Sequence, residues 1–320
     1  MNQSLNGSQA PAMAPGSPGV DAVDVASWVL SALIMFTCVC GIAGNGLVVW
    51  LLSFRVERTP YSVYVLHLAV ADLLFLLCMA SLVSLKSSLL ANTRSLAQEL
   101  LQRVKYFAYT AGLSLLTAIS VHRCVSVLFP IWYKCHRPRQ LSARACAGIW
   151  ALSLVMNTLA SVFCSWSWRS DERRCFAVDL ALISLILGLF TPMMAVSSLI
   201  LFVRVRRSST RGRRRPTRLY MAILASVLVY FICVLPLGVY WFLLYWLHLQ
   251  SQVQLLYACL ARLSSSVGSS ANPVIYFLVG TRQGHRLRES LGAVLGRVLR
   301  DTPELEGRET HSSYTNEVGD

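Results

Sequence analysis

A carboxylate, Asp72, sits within the apolar run Leu68-Ala69-Val70-Ala71-Asp72-Leu73-Leu74. At membrane depth an acid is costly unless it faces a bundle interior or water, and such groups are functional by default. Two amides in similar surroundings, Asn45 and Asn272, are its obvious mutual partners. Pro273 follows Asn272 directly, and Tyr276 places a phenol one turn further along. A proline inside a helix removes a hydrogen bond and kinks the axis. In lipid the freed backbone needs a neighbouring polar group or water, and Asn272 is the expected supplier. A knot of this kind either only fixes the packing or also rearranges, and both readings stand. A guanidinium, Arg123, closes another apolar run at Ser120-Val121-His122-Arg123-Cys124. Arg103 and Asp179 are opposite charges at the outer ends of two further runs. Arginine can make two parallel bonds to a carboxylate, and Asp179 can accept from an ammonium. Together they could hold a zwitterion. Mutual pairing, or snorkelling to water, is the simpler reading from the residues alone.

The elements that must position these groups are membrane helices. The chain has 320 residues, of which 55% are apolar and 14% charged, too greasy for an ordinary soluble domain. Runs of about 20 apolar residues read as spans. Seven are predicted, at Val25–Leu52, Tyr61–Leu85, Gln98–Phe129, Ser142–Ser165, Val178–Val203, Leu219–Leu247 and Val253–Val279. The fold class is therefore an all-α seven-transmembrane bundle over 25–280. A tail at 1–24, rich in Gly, Pro, Ser and Ala, is expected to be disordered and retained, since no cleavable leader pattern precedes the first span. Residues 281–300 read as a basic amphipathic helix lying on the inner leaflet, with Leu287, Leu291, Val294, Leu295 and Val298 on one face. The stretch 301–320 is a polar, disordered tail with candidate phosphosites at Thr310, Ser312, Ser313 and Thr315.

Charge orients the bundle. The net charge of +14 is concentrated in three loops and the C-terminal tail, with eight arginines between Arg204 and Arg218 alone. The opposite side holds only Lys86, Arg94, Arg169, Arg173 and Arg174 outside the spans. The positive-inside rule puts the N-terminus outside and the C-terminus in the cytoplasm, at a plasma membrane. This placement fits a face beside anionic lipid rather than a nucleic-acid footprint. Of the ten cysteines, Cys164 and Cys175 bracket the second outer loop, where the compartment is oxidising, and are predicted to pair. Asn2-Gln3-Ser4 and Asn6-Gly7-Ser8 are glycosylation sequons, making Asn2 and Asn6 acceptors.

Other function classes lack their residues. An intramembrane enzyme needs a nucleophile with a base or a metal cluster. The chain has neither a His-Glu-x-x-His string nor a Gly-x-Ser-x-Gly elbow, so no catalytic residue, metal or cofactor is expected. A transporter would tend to show matching interrupted halves, and none is visible. A retinal protein would need a lysine in the last span, whereas the three lysines are Lys86, Lys105 and Lys134.

Seven spans carrying Gly44-Asn45, Leu68-Ala69-x-x-Asp72, Arg123, Trp150, Pro192, Pro236 and Asn272-Pro273-x-x-Tyr276 resemble a rhodopsin-like G protein-coupled receptor. Gln98 stands where most such receptors carry a cysteine. With Phe129-Pro130-Ile131-Trp132, Cys135-His136-Arg137-Pro138 and the Cys164–Cys175 pair, it makes the chain similar to the Mas-related receptors. Tyr106 to Ser120 and Glu304 to Thr310 carry the likeness further, toward one branch of that family. The resemblance implies a sensory-neuron receptor for a small amino acid, notably β-alanine, coupled to Gq- and Gi-type heterotrimers, with arrestin a further partner. A peptide or amine agonist is the alternative within the family, and a channel or transporter the alternative outside it. The resemblance also implies that Arg103 and Asp179 face one pocket, with Trp241 as a wall and Tyr106 as a lesser contact. Asn45, Asp72, Arg123, Pro236, Asn272, Pro273 and Tyr276 become the activation switch. The chain departs from the pattern at His122, where an acid usually precedes Arg123, and at Val234, where a tryptophan usually precedes Pro236. Gly112 and Gly268 stand where sodium-site side chains often lie. Lacking acidic partners, Arg123 is expected to be held weakly, with appreciable basal signalling.

Overall fold

The computed structural model describes residues 18–56, 59–87, 94–135, 138, 140–164, 181, 184–210, 218–235, 251–281 and 291–299. Among the described residues every regular element is helical: α1 (Pro18–Phe54), α2 (Pro60–Ser87), α3 (Arg94–Leu128), the short α4 (Pro130–Cys135), α5 (Leu141–Cys164), α6 (Thr191–Thr210), α7 (Arg218–Val229), α8 (Ser251–Thr281) and α9 (Leu291–Leu299). Each of the seven expected spans coincides with one of these helices, in whole or in part. Four segments, Asp24–Phe54, Pro60–Leu85, Leu96–Leu128 and Leu141–Val162, are long and apolar enough to cross a bilayer. Gly188–Arg204 and Tyr220–Cys233 are shorter apolar pieces. At 31 residues α8 is long enough, and it carries several serines and Arg262 among its apolar residues. Those serines serve contacts: Ser270 Oγ donates to Thr37 O of α1 at 3.0 Å.

The helices pack in the order the spans suggest. α1 lies against α2 and α8, α3 against α2, α5 and α6, and α7 against α6 and α8. One large buried cluster includes Val48, Leu68, Leu115, Ile223 and Tyr276. A smaller outer cluster joins Ile34, Phe75, Leu76, Met79 and Ala108. Large apolar side chains such as Trp28, Phe36, Leu154 and Leu199 are exposed on the outside of the bundle. That is the expected state for surfaces that meet lipid rather than water.

Prolines mark the irregular turns. A π-helical turn, Ile186–Phe190, runs directly into Thr191-Pro192. A second, Tyr230–Val234, continues α7 and ends two residues before Pro236, which itself lies outside the described residues. Widened turns of this kind accommodate a missing backbone donor and often mark functional sites. Ser264 Oγ of α8 donates to the Cys233 carbonyl within the second turn.

Two expectations are corrected, and a third is seen only in part. Residues 18–24, expected in the disordered tail, form the first turns of α1. Pro18 suits a helix start. Lys134 and Cys135, expected in a loop, close α4, which Pro130 opens. The C-terminal helix is described only for Leu291–Leu299. Of its expected apolar face, Val294, Leu295 and Val298 are buried, together with Leu299, where the helix packs against α8, α7 and α1, while Leu291 is exposed. Gly280 makes this seat possible, because a Cβ there would collide with Val294.

Candidate functional site

The described polar groups fall into three tiers along α3. In the middle tier Asn272 Nδ2 donates to Asp72 Oδ2 at 2.8 Å, and the Ser269 hydroxyl also bonds to Asp72. Asp72 is 6% exposed. Pro273 cannot donate to the carbonyl four residues back, which is that of Ser269. Asn45 Nδ2 takes that role, donating to Ser269 O at 3.1 Å and to Gly41 O at 3.0 Å. The expected three-way knot is therefore corrected. Asn272 meets the acid, while Asn45 repairs the break from α1. Gly44 lets α1 come this close, since a Cβ there would stand 3.1 Å from Pro273 Cβ. A cavity of about 50 Å³ adjoins the knot, lined by Asp72, Gly112, Ser226, Tyr230, Ser269 and Asn272. It is roomy and polar enough to take water. Tyr230 OH lies 3.3 Å from Thr191 Oγ1, tying the two widened turns together at the cavity's edge.

The inner tier surrounds Arg123, which is 2% exposed. Its guanidinium carbon lies 3.3 Å from the ring centre of Tyr61 on α2 and 5.4 Å from that of Tyr220 on α7. His122 is packed among Tyr61, Tyr64 and Tyr133, at centroid distances of 5.0, 5.3 and 5.3 Å. Tyr133 OH donates to Tyr61 OH at 3.1 Å. The expectation of a weakly held arginine was built on missing acids, and aromatic faces fill that place. A desolvated cation over an aromatic face gains about 2 kcal/mol, and more exposed pairs about 0.5–1. Tyr61 and Tyr220 are the partners that sequence reasoning missed. No signal in either tyrosine's own neighbourhood connects it with Arg123. Tyr276, the last switch residue, is 5% exposed and belongs to the same inner core.

The outer tier holds the cations. Arg103 pairs with Glu99, one turn back on α3, with the two side chains 30% and 41% exposed. Glutamate four residues before a basic residue is the favourable helical order, a signal legible in the sequence and overlooked there. Tyr106, one turn inward of Arg103, is likewise exposed at the helix surface. Lys105 is different. It is 7% exposed, its Nζ sits 4.2 Å from the Tyr106 ring centre, and it donates to Gln102 Oε1 at 3.4 Å. Asp179, Trp241, Pro236, Cys175, Asn2 and Asn6 lie outside the described residues, as does the side chain of Cys164. Of the four expected ligand contacts, the structure therefore places Arg103 and Tyr106, together on one face of α3. Trp150 serves packing: its Nε1 donates to His67 Nδ1 on α2 at 3.1 Å, and its ring meets Phe107 at 5.3 Å.

Comparison with known proteins agrees with this geometry. Residues 44–276 match the model of the 7 transmembrane receptor (rhodopsin family). Mas-related G-protein coupled receptor member D of Macaca fascicularis is 58% identical over 319 residues, covering 100% of both chains. The Rattus norvegicus member D is 60% identical over 310 residues, covering 95% of this chain and 97% of its own. Mas-related G-protein coupled receptor member X1 of Mus musculus is 43% identical over 297 residues, covering 91% and 90%.

Proposed function

We propose, starting from the fact that this chain belongs to the rhodopsin family of seven-transmembrane receptors and to the Mas-related G-protein coupled receptors within it, that it senses a small extracellular amino acid. Multi-pass membrane residence and coupling to G proteins come with the family. The agonist class, a β-alanine-like zwitterion, is the further step. So are the choice of Gq and Gi, the plasma membrane with the N-terminus outside, arrestin as a partner, the Cys164–Cys175 bridge and glycans on Asn2 and Asn6.

One observation carries the agonist reading. Arg103 stands half-open at the outer end of α3 with a glutamate of its own helix as partner. A pair of this exposed i,i+4 kind contributes only about 0.3–0.5 kcal/mol. A ligand carboxylate bound by both arms of the fork gains about 1.5–3 kcal/mol and can displace it. Asp179 would take the ammonium, and Trp241 and Tyr106 would cover the short carbon chain. Binding shifts the receptor only through its greater affinity for the active state. In that state the inner end of span six moves away from Arg123, and the C-terminal helix of a G protein enters the groove. The arginines of Arg204–Arg218 would aid encounter with the G protein more than specificity.

Calcium and cyclic-AMP responses in transfected cells, across small amino acids, peptides and amines, test the reading. Arg103→Lys keeps the charge and loses the fork. The potency of β-alanine is expected to fall by about tenfold or more. An unchanged dose response at equal surface expression removes Arg103 from the site. A response to peptides or amines alone replaces the agonist class.

A further inference from the structure

Buried hydroxyls on the helices around the middle tier bond back to their own backbone. Thr117 donates to Leu113 O, Ser120 to Leu116 O, Ser265 to Ala261 O and Ser266 to Arg262 O, each four residues back. That habit is ordinary for serine and threonine within helices. Ser226 of α7 departs from it. It is 4% exposed, and its Oγ has no hydrogen-bond partner among the described residues. A buried hydroxyl left dry forfeits its hydration without return, and native proteins almost always satisfy such groups.

Ser226 lines the cavity beside the Asp72 knot, and so does Tyr230, four residues further along the same span. Its volume of about 50 Å³ is several times the roughly 10–15 Å³ that one water requires. The absent side chain of Gly112 leaves room next to the acid. A Cβ there would stand 3.7 Å from Asp72 Oδ1, 3.8 Å from Ala71 Cβ and 3.9 Å from Leu68 Cδ1, ordinary contacts that a methyl group could make. A sodium ion, the occupant that the receptor family suggests beside such an acid, fits poorly. Hard cations gather about six oxygens or more. The glycine beside Oδ1 supplies none from a side chain, and Asp72 already accepts from Asn272 Nδ2 at 2.8 Å and from the Ser269 hydroxyl.

We propose that this cavity is a water seat that ties span six to the Asp72 knot through Ser226, without a metal ion. Water both donates and accepts, so one molecule can take the hydrogen bond of the Ser226 hydroxyl and give one to the Asp72 carboxylate. The Tyr230 hydroxyl is a third partner on the cavity wall, matching the roughly three bonds that a buried water makes. The bridge links α2 and α7, whose main packing partners are other helices. It depends neither on the agonist nor on the G protein.

The test is thermal unfolding of the full-length receptor in lipid nanodiscs. Ser226→Ala should melt about 2–4 °C below the parent, the loss of one hydrogen bond. A dry, unpaired hydroxyl gives the opposite sign, because deleting it removes a cost. A variant that melts at or above the parent therefore overturns the proposal. Gly112→Ala fills the seat with a methyl group. In that background Ser226→Ala should no longer lower the melting temperature, and an undiminished drop removes the cavity from the explanation. Exchanging sodium chloride for N-methylglucamine chloride at equal ionic strength should leave the parent's melting unchanged. A saturable rise with sodium puts a cation in the seat and overturns the water reading. If Gly112→Ala does not fold, a crystal structure of the parent grown without sodium keeps the test decisive. Ordered density within hydrogen-bonding reach of both Ser226 Oγ and Asp72 supports the seat, and an empty cavity refutes it.

Discussion

Replacing Tyr220 by leucine should raise ligand-free signalling about fivefold. Arg123 lies between two aromatic faces, 3.3 Å from the centre of Tyr61 and 5.4 Å from that of Tyr220. Only an interaction that differs between two states can shift their equilibrium. Tyr61 belongs to α2, which packs on α3 and in the proposed opening would stay beside it. Tyr220 lies in the first turn of α7, which begins span six, and the outward movement of that span would carry its ring from Arg123. The Tyr220 contact lies near the outer limit of about 6 Å, so its loss is worth about 1 kcal/mol. At about 1.4 kcal/mol per tenfold, the active-to-inactive ratio rises about fivefold. A receptor resting at about 1% active would move to about 5%, within the range typical of minor states. The assay is guanine-nucleotide exchange on added G protein in membranes matched for receptor number, without agonist. Tyr220→Phe keeps the ring face and should behave like the parent, and Tyr61→Leu should raise exchange less than Tyr220→Leu does. The reasoning fails if Tyr220→Leu leaves exchange unchanged. It also fails if Tyr220→Phe rises as far, since the hydroxyl and not the ring would then be the lock.

Other perturbations read the remaining tiers. Glu99→Gln releases Arg103 from its helical partner, so the potency of an acidic agonist should improve about twofold, the equivalent of about 0.3–0.5 kcal/mol; unchanged or weaker potency in the dose response would remove that competition. Asn45→Ala strips the Ser269 carbonyl of the donor that replaces Pro273's missing N–H. It should cost about 1–3 kcal/mol, seen as a lower melting temperature in detergent, and an unaltered temperature would mean that water repairs the break equally well. Leu295→Ala empties a fully buried position under α9. It should destabilise by about 2–5 kcal/mol and speed proteolysis of the C-terminal segment, and equal cleavage rates would show that α9 is not docked in solution.

Much of this receptor was legible along the chain because the signals are local. A bilayer selects apolar runs of a set length, so seven spans can be counted without knowing how they touch. Lys and Arg asymmetry gives an expected orientation for the same reason. Asp72, Asn272 and Arg123 declare themselves as polar groups in oil, and the knot between Asp72 and Asn272 follows because each needs a partner. Partner choice among several candidates depends on helix rotation and on close approach, which no single stretch encodes. Asn45 rather than Asn272 answers Pro273 because Gly44 lets α1 close to within contact of that proline. Arg123 rests on Tyr61 and Tyr220, residues 62 and 97 positions away in the chain, because two other helices deliver their rings to it. Lys105 and Arg103 look alike as neighbouring cations in the sequence. A rotation of two residues about α3 turns one toward the dry interior and leaves the other half-exposed beside Glu99, and only tertiary packing decides which.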